Sequence, residues 1–267
     1  MLLALSLRPL RADELKPETV QAFDHYVELS EQRMASELRS GRFLRVDDLS
    51  PNLRDADYAR LRQGDVVIER LTTLDEGRSI SVPRGLIHHW VGTVFIPRTT
   101  LERTLLFLVD YNEQYKYYAP EVEQSRLIER DGYHYRVFLR LRKTKVVTVI
   151  LNTEYDVRYV PLGSDRGASY SYSRRIAEVE NAGKPNESEK PVGNDSGFLW
   201  RLNSYWRFLE RDGGVYVQLE AISLTRDIPP GLGWLIGPFV TSIPKESLQF
   251  TLTHTRQGLA QPTSGQQ

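Results

Sequence analysis

The chain has 267 residues, 40% hydrophobic and 26% charged, the proportions of a globular protein with ample material for a core. Lys plus Arg and Asp plus Glu each number 35, so the net charge is zero and no global field steers the chain toward nucleic acid or an acidic membrane. Cysteine is absent, which excludes disulfides, thiol nucleophiles and thiolate metal sites together.

Met1 to Leu7 is a short apolar run, followed by Arg8-Pro9-Leu10-Arg11-Ala12. A secretory signal carries its basic residues before the apolar stretch, whereas here they follow it. A signal remnant and a disordered leader both stay open, and with them an exported or a cytoplasmic location. No later stretch reaches the roughly 18 apolar residues of a spanning helix.

From Pro17 to Ser40, Val20, Phe23, Val27, Met34 and Leu38 recur near helical spacing. Pro17 suits the first helical position and Gly41 the stop. The pattern predicts a long amphipathic helix packed on the main domain. Residues 42–85 are mixed. Phe43 to Val46 and Val66 to Leu71 read as short strands, with a helical turn near Asp55 to Leu61. Pro83-Arg84-Gly85 marks a boundary.

At Leu86 the register changes. LIHHWVGTVFI (86–96) is a strand ending at Pro97, and Thr99 or Thr100 can cap the next helix. That helix begins at Leu101 and leads into Tyr111, Tyr115, Tyr117 and Tyr118, stopping at Pro120. Alternation then predicts strands at 133–142, 145–159 and 169–179. Residues 183–196 read as a surface loop.

Gly197 to Arg226 forms two alternating runs around Asp212-Gly213-Gly214, the pattern of an antiparallel hairpin. Trp200, Leu202, Ser204, Trp206 and Phe208 share one face of the first run. Val215, Val217, Leu219, Ala221 and Ser223 share one face of the second. Residues 227–240 are apolar but broken by Gly and Pro, as in a lid or a buried crossover. Lys245 to Arg256 fits a helix or a strand; Pro244 at its start favours helix. A polar tail follows.

The order is strand, helix, five antiparallel strands and a terminal helix, an α+β layer architecture. It resembles the helix-grip fold of the START and SRPBCC superfamily, which includes lipid-transfer domains, plant carriers and polyketide cyclase or dehydrase relatives. The likeness is carried by His88-His89-Trp90-Val91-Gly92-Thr93-Val94-Phe95-Ile96-Pro97, the helix from Leu101, Asp110-Tyr111 and Tyr115 to Pro120. Gly197 to Trp206, Leu224 to Pro229 and the Ile243 to Leu248 helix start add to it. It covers about residues 86–257 and is closest in kind to bacterial members with an added N-terminal segment, here 1–85, with 258–267 as a tail.

The resemblance implies a curved antiparallel sheet wrapped around a long C-terminal helix, with apolar cargo in the space between. The superfamily has no shared catalytic motif, so no residue is carried over as catalytic. The expected ligand-binding residues are Tyr135, Val149, Tyr172, Arg174, Trp200, Trp206, Leu219, Trp234 and Phe239. Arg174 shares a face with Tyr170, Tyr172 and Ile176 if strict alternation holds, and could pair with an anionic head group. An exposed edge arginine is the plainer reading. Glu220, on the opposite face, reads as a solvated cross-strand partner of Arg201 or Arg207.

His88 and His89 point to opposite faces and cannot chelate together. They read as surface or capping residues. No H-x-x-x-H, H-E-x-x-H, Gly-x-Ser-x-Gly, P-loop or dinucleotide fingerprint occurs. No metal and no cofactor are expected. The leading reading is a non-enzymatic protein that binds or transfers a hydrophobic or amphipathic molecule (a lipid, isoprenoid or polyketide-like compound), with transient membrane contact and no nucleic-acid partner. The alternatives are a cyclase or dehydrase-type enzyme using the same cavity, and a scaffold whose N-terminal helix binds a partner.

Overall fold

Eight strands pair into one antiparallel sheet in the computed structural model, which describes residues 13–145, 147–228 and 242–260. The strands are β1 (Val67–Arg70), β2 (Gly85–Pro97), β3 (Val122–Asp131), β4 (His134–Thr144), β5 (Thr148–Pro161), β6 (Arg166–Glu180), β7 (Arg201–Arg211) and β8 (Gly214–Arg226). Their order is β1-β2-β8-β7-β6-β5-β4-β3, and Ser188–Glu189 add a short pairing to β6. The helices are α1 (Pro17–Arg39), α2 (Pro51–Gln63), α3 (Leu101–Val109), α4 (Gln114–Tyr117) and α5 (Ile243–Ala260).

The β7–β8 hairpin forms as the alternation predicts. Arg211 pairs Gly214, and Asp212 and Gly213 turn with φ of 60° and 74°. Two successive positive φ values make the type I′ turn whose twist suits a tight hairpin. Thr100 caps α3 by accepting the Arg103 N–H at 3.2 Å. The ambiguous terminal segment is helical. Its Leu248, Leu252, Thr255 and Leu259 are buried on one side. Gly92 makes this possible, because a Cβ there would collide with Leu252.

Two expectations fail for identifiable reasons. Phe43 to Val46 is not a strand. Asp47 accepts the Leu44 N–H at 2.9 Å and bends the chain into a 3-10 turn, Arg45–Asp48. The edge strand β3 was not foreseen. Its register shifts twice, between Val122 and Gln124 and between Leu127 and Glu129, which erases any two-residue period.

Apolar residues are buried on both faces of β2, β7 and β8. On the inner face, Val94, Phe208, Val217 and Leu219 pack with Leu248 and Leu252 of α5 and Leu108 of α3. On the outer face, Phe23, Tyr26, Val27 and Met34 of α1 cover Tyr205, Ile222 and Leu224. Phe43, Leu44, Tyr58 and Leu61 cover Phe95, Leu209 and Tyr216 beside them. A strand buried on both faces reads as a near-continuous apolar run, as β2 does.

The outer interface also holds buried charge, and here the reading of Glu220 is corrected. Glu220 is 2% exposed, not solvated. It accepts from His89 Nε2 at 2.6 Å and pairs with Arg33 of α1. The tautomer follows from the chain of donors. The Thr73 N–H donates to Tyr26 Oη (2.8 Å), so Tyr26 donates to His89 Nδ1 (2.9 Å) and His89 carries its proton on Nε2. Arg207 is also buried, bonded to the Phe43 carbonyl at 2.9 Å and to Glu37 at 2.9 Å. Each charge thus has a partner, the condition for burial. The interface was hidden because the outer parity of the hairpin looks polar in sequence until α1 is laid over it.

Candidate functional site

The inner face of the sheet and α5 do not close into a solid core. A cavity of about 300 Å³ remains between them. Strands β2 and β4 to β8 all contribute to its wall, with α5 across the open side and the Tyr111–Tyr118 region at one end. The wall is mainly aliphatic and aromatic, including Trp90, Val137, Leu151, Leu202 and Phe250. That is the composition of a small-molecule pocket with a few placed polar groups.

Those polar groups differ in state. His88 sits on the wall and is bonded through Nε2 to Thr225 Oγ1 at 3.0 Å. The Thr225 hydroxyl donates to the Arg226 carbonyl at 3.1 Å, so it accepts from His88, which leaves Nδ1 unprotonated. Burial, reinforced by the positive charge of Arg70, pushes the His88 pKa down to about 4. The imidazole is neutral at physiological pH. Both histidines are therefore buried, one on each face, rather than capping or surface residues.

Lys143 and Glu121 also reach the cavity, where they pair with each other. Burial pulls the Lys143 ammonium pKa down and raises the Glu121 carboxyl, and the ion pair opposes both shifts. Tyr111 and Tyr159 share a hydrogen bond at 3.1 Å, and Tyr118 bonds Thr255 at 2.9 Å. Tyr155 Oη and Ser169 Oγ are buried and have no partner at hydrogen-bonding geometry. Burial pushes the Tyr155 phenol up to about 12. Among the described residues no group of His, Asp and Glu is arranged to hold a metal ion.

The expected site residues divide. Val149, Trp206 and Leu219 line the cavity. Tyr135 points to the same face but lies beyond the cavity, packed edge-on against Tyr159 and tilted on Tyr111, both at 5.6 Å between ring centres. Trp200 precedes β7, donates from Nε1 to Asp195 at 3.1 Å, and packs in the outer core. Tyr172 is also on the outer face, donating to Glu31 of α1 at 2.9 Å. Arg174 is exposed and pairs with Asp156 at 3.1 Å. Trp234 and Phe239, with most of the 227–240 segment, lie outside the described residues.

A bulge explains the misplacement of Tyr172 and Arg174. Glu154 pairs Arg175 but Tyr155 pairs Ser173, so Arg174 is the extra residue. Strict alternation put Tyr170, Tyr172, Arg174 and Ile176 together. The extra residue instead leaves Ile176 inside and both tyrosines outside, with Ser169 and Ser171 facing the cavity. His88, Tyr155, Ser169, Lys143 and Glu121 were not singled out as site residues. The phase of His88 with Trp90, and of Tyr155 with Val149 and Leu151, is the signal that could have found two of them.

The strand order, the long α5 across the inner face and the cavity between them define the architecture. The chain has a helix-grip fold, an antiparallel sheet with a long C-terminal helix laid across its inner face. No family model matches the sequence, and no curated protein matches it. Solved structures do. A STAR-related lipid transfer protein from Xanthomonas axonopodis is 17% identical, with 73% of this chain and 99% of that one covered and a TM-score of 0.43. The human StarD13 lipid transfer and protein localization domain is 7% identical, with 80% and 98% covered and a TM-score of 0.45. The Zhui aromatase/cyclase from Streptomyces sp. R1128 is 12% identical, with 65% and 94% covered and a TM-score of 0.42. At these scores the likenesses assign no ligand or activity to this chain.

Proposed function

We propose that this protein binds a hydrophobic or amphipathic small molecule in the cavity under α5 and carries it. The supporting observation is the cavity itself: about 300 Å³ of partly open space with a mainly apolar wall, beside a packed apolar cluster on the same face. A recess of this size and composition is what small-molecule sites look like. In this proposal residues 86–257 form the binding unit and residues 1–85 its outer cover. Transfer from a membrane surface belongs to the same proposal.

The test is organic extraction of the purified protein followed by mass spectrometry, beside saturable binding of the neutral dye Nile red. A stoichiometric apolar compound, or dye binding that a bulky Leu219→Trp substitution abolishes, supports the reading. Neither bound compound nor saturable dye binding would overturn it. Movement of a fluorescent lipid between vesicles separates carriage from storage.

One observation favours a second reading, an enzyme of cyclase or dehydrase type. His88 presents a neutral imidazole to the cavity wall, with Nδ1 free to accept a proton. A pKa near 4 makes it a weak base at neutral pH, which is why binding stands first. If polyketide-like substrates turn over and His88→Gln abolishes turnover while leaving dye affinity intact, the enzymatic reading replaces the first.

A further inference from the structure

One ion pair on the cavity wall is not needed to hold an apolar ligand. Lys143, near the end of β4, and Glu121, just before β3, pair with each other where the cavity meets a surface groove beside Pro120 and Ile243. Their side chains are 20% and 25% exposed. Lys143 Nζ stands 5.8 Å from the centre of the Phe250 ring, itself part of the cavity wall. The amine therefore borders both the apolar interior and the groove.

The neighbouring charges are matched among themselves. Lys145 pairs with Glu246 of α5 at 2.7 Å, and Arg142 pairs with Glu123. His254 of α5 lies within electrostatic reach of Glu121 and donates from Nδ1 to the Phe250 carbonyl at 2.9 Å. Lys143 itself bonds to Glu121. An anionic ligand brought to Lys143 would bury a net negative charge, with Glu121 still beside it. A structural tie alone does not call for such a pair, because packed apolar residues often replace a buried ion pair at no loss of stability.

Burial draws both groups toward their neutral forms, the Lys143 ammonium downward and the Glu121 carboxyl upward, against the ion pair. A proton passed from Lys143 to Glu121 leaves an uncharged amine beside a carboxylic acid. An imine-forming lysine needs those two things, a nucleophilic lone pair and an acid to expel water.

We propose that Lys143 captures apolar aldehydes in the cavity as a reversible imine, with Glu121 moving the protons. This rests on the binding function proposed above and adds a covalent step to it. Lys143 Nζ attacks the carbonyl carbon and the C–N bond forms. Glu121 gives its proton to the developing alkoxide and takes one from the nitrogen, leaving a carbinolamine. It then protonates the hydroxyl, the C–O bond breaks and water departs. The product is a protonated imine beside the Glu121 carboxylate. One cation and one anion stand there before and after, so the apolar wall meets no new charge. No oxidant or reductant is consumed, and water reverses the sequence.

The experiment is reductive trapping on the whole chain. The protein is incubated with decanal or propanal and cyanoborohydride, which fixes an imine as a secondary amine, and the modified lysines are mapped by peptide mass spectrometry. Lys116 on α4, 53% exposed, is the internal reference. Decanal is expected to label Lys143 at least about tenfold faster than propanal does, because its chain is held by the apolar wall, while the two label Lys116 alike. Lys143→Arg keeps a charge opposite Glu121 but has no primary amine, and should remove the chain-length preference from the uptake seen by intact mass. Equal labelling of Lys143 by the two aldehydes overturns the proposal. So does slower labelling of Lys143 than of Lys116 by decanal, or a preference that survives Lys143→Arg. If Nile red does not bind saturably and no compound is extracted, the binding function fails and takes this inference with it. If the dye binds and Lys143 shows no preference, the inference alone fails and the pair is a structural tie.

Discussion

Replacing Glu220 by Gln removes one charge from the outer interface without changing its shape. The Glu220 carboxylate is 2% exposed and faces His89 Nε2 at 2.6 Å and the Arg33 guanidinium. A glutamine oxygen still accepts from His89, so that bond falls from charge-assisted to neutral, a loss of about 1 kcal/mol. Toward Arg33 the amide either turns a donor against a donor or gives up the ion pair. Arg33 is one-third exposed and recovers part of its solvation, which holds this second term to about 1–2 kcal/mol. The expected loss is about 2–3 kcal/mol in urea unfolding at pH 7, with an unchanged denaturant slope.

The acid limb checks the cause. Hydrogen bonding from His89 and the charges of Arg33 and Arg207 hold the Glu220 carboxyl below its ordinary range despite its burial. A depressed carboxyl stabilises the fold fully above its unfolded pKa and loses that contribution as pH falls through the folded value. The gap between wild type and Glu220→Gln should be flat above the ordinary carboxylate range and narrow as pH falls through and below it. A loss under about 0.5 kcal/mol at pH 7, or a gap that widens as pH falls, would refute the reasoning.

Three further outcomes are expected. His88 titrates near 4 when folded, against about 6.5 when unfolded, so wild type should lose up to about 3 kcal/mol between pH 6.5 and 4. His88→Gln should flatten that limb in urea unfolding at a series of pH values. Leu252, fully buried where α5 meets Gly92, should cost about 2–5 kcal/mol on truncation to Ala, read as a fall in thermal midpoint. Gly64 ends α2 at φ 105° against the Arg256 guanidinium, which donates to its carbonyl at 2.7 Å. Gly64→Ala should lower the unfolding free energy by at least about 1–2 kcal/mol, and Arg256→Ala should relieve part of that loss in a double-mutant cycle.

The sequence is most legible where one face is apolar and the other is not. The β7–β8 hairpin, its turn at Asp212-Gly213 and its inward set Leu202, Ser204, Trp206, Leu219 and Ala221 could all be read from alternation. The terminal helix could be read from Pro244 and the spacing of Leu248 and Leu252. Legibility fails where a period is interrupted or shared. One extra residue at Arg174 reverses the parity of β6, so Tyr172, expected to line the site, lies under α1. Trp200 looks like the first member of the inward set, but it precedes the strand and answers to Asp195. Glu220 and Arg207 look solvated because their partners, Arg33 and Glu37, lie about 170 residues or more away in the chain. Alternation distinguishes two faces but does not say which encloses a space. That depends on what covers each face.

Strand β2 is a partition between the cavity on one side and a packed, charged interface on the other. His88 belongs to the cavity and its neighbour His89 to the buried charge network beneath α1. The sheet therefore cannot be excised as a stand-alone cup. Cutting the chain before Gly85 would strip the back of the partition. Phe95, Ile222, Leu224 and Tyr216 would meet water, and Glu220 and Arg207 would lose the partners that justify their burial. An engineer wishing to reshape the cavity can work on the cavity side of β2 residue by residue. One wishing to shorten the protein must first repaint its back wall.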